Sequence, residues 1–281
     1  MKSTKCIAGL LMAASLSSCG TSVPSLRDWP KNATDAQNEQ MVQAVVRAIR
    51  CDLRNAVTAS VNADLDSALA NHEKPYSAFL DNWGAEVLLT FTIVEKSTVG
   101  PTGDWSLPRG ATKFTAGLGA SVSSQATRIE KMNFFYTMRE LYLKKGQTCE
   151  FDRGPGQGSL LITSDLKISD LLTSRINTTA LGQAAAPEIG KQNVLSHQIT
   201  FQVVAGGSLN PAWVLVRANI NPNGGPLLQA SRDRTHDLQI TFGPLDKRQR
   251  GQSLIAIAEQ THFSSQISSG ISNALNSAVK Q

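Results

Sequence analysis

Leu89-Thr90-Phe91-Thr92-Ile93-Val94 returns 110 residues later as Ile199-Thr200-Phe201-Gln202-Val203-Val204. Both runs alternate with period two, as a β-strand does when one or both of its faces are covered. The likeness continues outward from each run. Pro101 answers to Pro211 at the same offset, Trp105 to Trp213 at 108, and Ala120-Ser121 to Ala230-Ser231 at 110. Thr127 and Phe134 answer to Thr235 and Phe242, both at 108. Each copy reads as strand, proline-containing loop, tryptophan strand, Ala-Ser strand and aromatic-ended strand, over 83–145 and 194–245. Alternation is common to β meanders in general, so it is the ordered columns that point to duplication.

Neither short meander can bury its apolar face alone. The fold expected is therefore α+β: two duplicated antiparallel β meander units, related by a pseudo-two-fold, buried against each other and against long N-terminal and C-terminal helices. The first helix, over 34–72, follows from Val42, Val45, Val46, Ile49, Leu53, Val57, Val61, Leu65 and Leu69, which recur every three or four residues. Thr34 or Asp35 can cap it, and Asn71 and Pro75 end it. A shorter helix over 165–182 carries Ile168, Leu171, Leu172 and Ile176 on one side, and Leu160 to Thr163 reads as a short strand before it. The last helix, over 246–280, has the stripe Leu254, Ile257, Ala258, Ile267, Ile271, Leu275 and Val279. Ser264, Ser265, Ser268, Ser269 and Gly270 weaken its propensity, so tertiary packing is expected to hold it. Residues 34–281 thus read as one domain.

Ahead of that domain, Met1 to Lys5 is charged and Cys6 to Leu16 is apolar, far short of the roughly 20 residues that span a bilayer. Leu16-Ser17-Ser18-Cys19 closes the run. It resembles the lipobox of bacterial lipoprotein precursors. That resemblance implies removal of residues 1–18 as a signal peptide and lipidation of Cys19, the membrane contact of the mature chain. With Gly20 rather than aspartate next, it also implies sorting to the outer membrane, facing the periplasm. An ordinary secretory signal with Cys19 placed by chance is the other reading. Acyl chains contribute about 0.8 kcal/mol per buried CH₂, so two or three together make a stable anchor. Residues 19–33, with Pro24 and Pro30, read as an extended tether. The segment Gly206 to Trp213 resembles a group of uncharacterised exported bacterial proteins, a likeness that implies no activity.

Cleavage removes Cys6 and lipid consumes Cys19, leaving Cys51 and Cys149. In an oxidising periplasm that pair is a disulfide candidate, the alternative being two buried thiols. Loss of Lys2 and Lys5 lowers the formal net charge of +5 by two, and the basic residues are scattered among 22 acidic ones. A nucleic-acid partner has no support in that distribution.

Motifs for chemistry are sparse. His72, His197, His236 and His262 lack metal-ligand spacing. Gly156-Gln157-Gly158-Ser159-Leu160 fails the nucleophile-elbow pattern at its last position, and it is no phosphate cradle. Asp64 and Asp66 diverge on a helix, and Lys247, Arg248 and Arg250 read as a solvated helix start. The sequence offers no catalytic, cofactor-binding or metal residue, and no cofactor is expected. Three classes follow in order: a structural or interaction lipoprotein with an envelope protein partner, a periplasmic carrier of a hydrophobic ligand, and an enzyme whose site is assembled from distant residues. Aromatic residues make up 6% of the chain, which argues against an aromatic-lined groove.

Overall fold

The computed structural model describes residues 22–26, 34–109, 112–143, 149, 159–185, 187, 193–209, 213–214, 218–220 and 227–279. Cys19 and residues 1–18 lie outside these, as do the loop expected over 154–158 and the turn expected over 221–226. The first helix, α1 (Asp35–Asn71), runs 37 residues. Thr34 Oγ1 accepts the Gln37 amide at 3.3 Å while Gln37 Oε1 accepts the Thr34 amide at 3.0 Å. This reciprocal pair satisfies two amides that the first turn leaves open. The helix stops at His72, whose backbone is left-handed (φ 55°) and whose amide reaches the Ala68 carbonyl. The other helices are α2 (Met138–Leu141), α3 (Leu160–Thr163), α4 (Ile168–Ala180) and α5 (Ala256–Val279). No described helix is long and apolar enough to cross a membrane.

The strands are β1 (Trp83–Val99), β2 (Thr102–Arg109), β3 (Thr112–Gly119), β4 (Val122–Thr137), β5 (Leu195–Leu209), β6 (Trp213–Val214), β7 (Ala218–Ile220) and β8 (Leu228–Pro244). They form two antiparallel sheets, ordered β4-β1-β8-β5 and β3-β2-β7-β6. In the second sheet β2 faces β3 from Thr102 opposite Gly119 to Arg109 opposite Thr112. The Ala120 amide on the Pro101 carbonyl (3.1 Å) and the Ser97 and Ser124 hydroxyls 3.0 Å apart carry that register into β1 and β4. Strands β1 to β4 are therefore one long hairpin whose arms change sheet at Pro101 and Ala120. Strands β5 to β8 form the second: Gln202 donates to Asp233 at 2.7 Å, and Trp213 lies opposite Ile220. Trp105 and Trp213 both fall on the second strand of their hairpin but not in matching register: Trp105 faces Ala116, whereas Trp213 faces Ile220 and not the residue at the repeat offset.

The α+β class and the helices at both ends stand as read from the sequence, with local corrections. The two hairpins lie side by side in the same sheets, where face-to-face packing about a two-fold was expected. Leu160–Thr163 is a helical turn, capped by Ser159 Oγ on the Leu161 amide (3.3 Å). The two strands expected around Leu228 and Leu238 are one, because the polar residues between them pair across the sheet instead of turning: Arg232 bonds Glu95, and Asp233 accepts from Gln202. Ala230-Ser231 sits inside β8, whereas Ala120-Ser121 joins β3 to β4. Helix α5 begins at Ala256, after a 3-10 turn at Lys247–Gln249.

The chain divides into two compact units, and the four long strands are shared between them. The first holds Met1–Leu26, Phe91–Glu130 and Gln202–Thr235, and among its described residues is built of strands. Its buried apolar residues among those described are Pro24, Leu26, Phe91 and Ile93. Arg128 donates to the Pro24 carbonyl at 3.1 Å and pairs with Glu130, while Arg232 holds the Ser25 carbonyl.

The second unit carries the helices and the core. Val45, Leu53, Val87, Leu89, Leu238, Ile240 and Phe242 are completely buried. On β8, Leu238, Ile240 and Phe242 share one face while Gln239, Thr241 and Gly243 share the other, where α5 docks through Ala258 and His262. Cys51 on α1 is disulfide-bonded to Cys149, with Cα atoms 5.3 Å apart. Asn55 holds the same residue, accepting the Cys149 amide at 2.7 Å and donating to its carbonyl at 3.1 Å.

Candidate functional site

The polar residues singled out in the sequence either hold local structure or face solvent. His197 Nε2 lies 2.8 Å from the Leu166 carbonyl. Asp64 is buried and accepts the Ser77 amide at 2.7 Å, which anchors the turn after α1; Asp66 is exposed. Lys247, Arg248 and Arg250 are exposed. Among the described residues no three His, Cys, Asp or Glu side chains gather as a metal site.

Two buried pairs escaped the sequence reading. Ser159 Oγ is 2.7 Å from His236 Nδ1, with the residues 7% and 2% exposed. The same hydroxyl caps α3, and at that burial it pins the helix to β8. His262 Nδ1 lies 2.8 Å from Thr241 Oγ1, and its Nε2 lies 3.9 Å from Glu86 Oε1. Burial lowers the His262 pKa. Burial, and then the negative charge of Glu259, raise that of Glu86. The spacing of these pairs along the chain gives no warning of them, since long-range strand and helix packing brings them together.

The second unit also holds an open cleft of about 630 Å³, with Pro75, Tyr76, Phe79, Trp83, Pro187 and Pro244 in its wall. Phe79 meets Trp83 edge to face, ring centres 4.9 Å apart. Sparse aromatic composition did not anticipate this local concentration.

Surface features are more pronounced. Among the described residues both sheets end on unpaired edges, β4 and β5 in one, β3 and β6 in the other. Natural edge strands are usually blunted by charge, proline or shortness. Strand β5 runs 15 residues with no Asp, Glu, Lys, Arg or Pro. From Gln202 to Leu209 every residue is exposed, including Val204 at 62% and Leu209 at 65%. On the opposite side Leu118 of β3 and Val122 of β4 are 77% and 72% exposed. In the second unit, Phe263, Ile267 and Ile271 follow one another at helical spacing on α5 and all are exposed. Ile267 and Ile271, expected in the packed stripe with Ala258, lie on the other side of α5, because nine and thirteen residues of helix turn them roughly half a turn away from it; Ser265 and Gln266, on the docking side, are half-buried.

No family model matches the chain, and no curated protein does. Among solved structures it has a faint likeness to the secretin domain β-barrel of InvG from the Salmonella SPI-1 injectisome. The identity there is 13% and the TM-score 0.14, over 67% of this chain and 69% of that one. A second likeness is to the open-gate InvG secretin (residues 176 to the end) of the same type III secretion system. It has 13% identity and a TM-score of 0.13, over 66% of each chain. Superposition at that level establishes no common fold.

Proposed function

We propose that this chain is a structural component of a bacterial envelope complex, held at the outer membrane by lipid on Cys19 and working by binding protein, not by turnover. The observation that carries this reading is the uncharged, proline-free, exposed edge strand β5. A free edge of that kind is a template for strand addition, and a soluble monomer would be selected against keeping it. The uncovered stripe Phe263-Ile267-Ile271 adds a second apolar surface of the kind a partner covers.

The anchor supports the same reading. Pro24 is buried and held by Arg128, only five residues after Cys19, a reach of at most roughly 18 Å. Lipid on Cys19 would keep the first unit close to the headgroups and raise its effective concentration for membrane partners. Labelling with a palmitate analogue tests the anchor: wild type should label and Cys19→Ala should not, and equal labelling contradicts it. Affinity purification from crosslinked membranes tests the complex. A reproducible protein partner is expected. Recovery of the chain alone with bound lipid would favour the carrier reading, for which the Tyr76–Phe79 cleft is the specific support.

A further inference from the structure

The strand order contains a rule that the chain itself does not complete. In each sheet, hairpin one comes before hairpin two, and within each hairpin the returning arm precedes the outgoing arm: β4 then β1, β8 then β5; β3 then β2, β7 then β6. The two hairpins are thus related by a shift along the sheets. The joint inside the chain is always the same, the outgoing arm of one hairpin against the returning arm of the next. In the second sheet it is antiparallel, with Gly103 opposite Ile220 and Trp105 opposite Ala218. What remains at the edges is one unused copy of each half of that joint. At one side lie the returning arms β4 and β3; at the other lie the outgoing arms β5 and β6.

Resting on the structural-component reading above, we infer that the partner at these edges is a second copy of this chain, which adds its β4/β3 to β5/β6 of the first and so repeats between copies the joint that β1/β2 make with β8/β7. The contact is heterologous, head to tail, and each copy joined leaves the same two edges free. Such an interface propagates and closes into a ring where its rotation permits. The edges suit one another. Strand β5 brings no charge to be desolvated, and on β4 Arg128 is already paired with Glu130 and the Pro24 carbonyl. Exposed Val204 and Leu209 on one side and Val122 and Leu118 on the other give both edges apolar area to bury.

The internal joint also supplies a register. Arg232 of β8 bonds Glu95 of β1; by the sequence offsets of 110 from the β1 run to the β5 run and 108 from Thr127 and Phe134 of β4 to their matches in β8, their counterparts are Ala205 and Ser124. Single and paired substitutions Ala205→Cys and Ser124→Cys in the full-length chain, oxidised in intact membranes and resolved without reductant, read the geometry. Neither single variant should crosslink, a mixture of the two singles should give dimers, and the double variant should give a ladder. The parent chain, which retains Cys19, Cys51 and Cys149, should give none. Placing Cys at 203 and 122 as well covers a register slip of one side-chain repeat. Dimers from Ala205→Cys alone would mean a two-fold contact and overturn the inference. So would the absence of copy-to-copy crosslinks at every pair. Capture of a different protein at position 205 would overturn it too, while leaving the structural-component reading intact.

Discussion

A Cβ built on Gly243 of β8 would stand 2.7 Å from the Cβ of Ala258 on α5. Helix and strand meet there at backbone distance, and the glycine is what lets α5 dock.

Gly243→Ala should therefore destabilise the protein by about 1–3 kcal/mol, the usual cost of overpacking a filled interface. Gly270 on the same helix has nothing within 4 Å of a built Cβ. Gly270→Ala should instead stabilise by roughly 0.5–1 kcal/mol through helix propensity. Urea unfolding midpoints of the two variants, moving in opposite directions, check both statements.

Removal of the Cys51–Cys149 bond should be the costlier change. The bond closes a loop of 98 residues, for which the chain-entropy model gives up to about 4.7 kcal/mol. Cys51→Ala should lower the urea midpoint well beyond Gly243→Ala, and thiol titration of the oxidised, unfolded wild-type domain should find neither cysteine free.

His262 should make stability fall as pH falls. Burial lowers its folded pKa, so the unfolded chain takes up a proton first. The stability it confers is full above the ordinary histidine value near 6.5 and is lost as pH drops through the folded value. Glu86, raised by burial and by Glu259, acts in the other sense: its contribution is present at low pH and lost as pH rises through its folded value. His262→Gln removes only the first effect. Between pH 7.5 and 5.5 wild type should lose more unfolding free energy than His262→Gln; equal losses would show that His262 titrates as freely folded as unfolded.

Polar substitution of the uncovered stripe should separate stability from assembly. Ile267 and Ile271 are 49% and 55% exposed, so Ile267→Ser with Ile271→Ser should cost little stability, about 1 kcal/mol at most. Recovery of partner from crosslinked membranes should nevertheless drop. Unchanged recovery would make the stripe an ordinary exposed face.

Local pattern carried much of the fold. Period-two runs at Leu89 and Ile199, the Thr34 cap and the three-four spacing of α1 are each decided by neighbours in sequence, and they stand. The strand order was not legible, because alternation tells which residues share a face but not which strand lies beside which. The stripe on α5 was mis-assigned for a different reason: at 3.6 residues per turn Ile267 and Ile271 lie roughly half a turn round the helix from Ala258, so they do not belong to the face that docks on β8. Cys51 and Cys149 were legible by elimination. The Ser159–His236 and Thr241–His262 pairs were not, since residues 77 and 21 positions apart meet only through packing. The bare edge of β5 was visible all along as fifteen residues without charge or proline; its meaning depended on finding it at the end of a sheet.

Native mass spectrometry of the full-length chain, extracted from cell membranes in mild detergent, tests head-to-tail pairing most directly. A species built from several copies of this chain is expected, and Val204→Lys, which puts a charge on the β5 edge, should dissolve it without unfolding the monomer. Monomer alone in the wild-type extract, across a wide range of concentrations, would contradict edge-to-edge assembly.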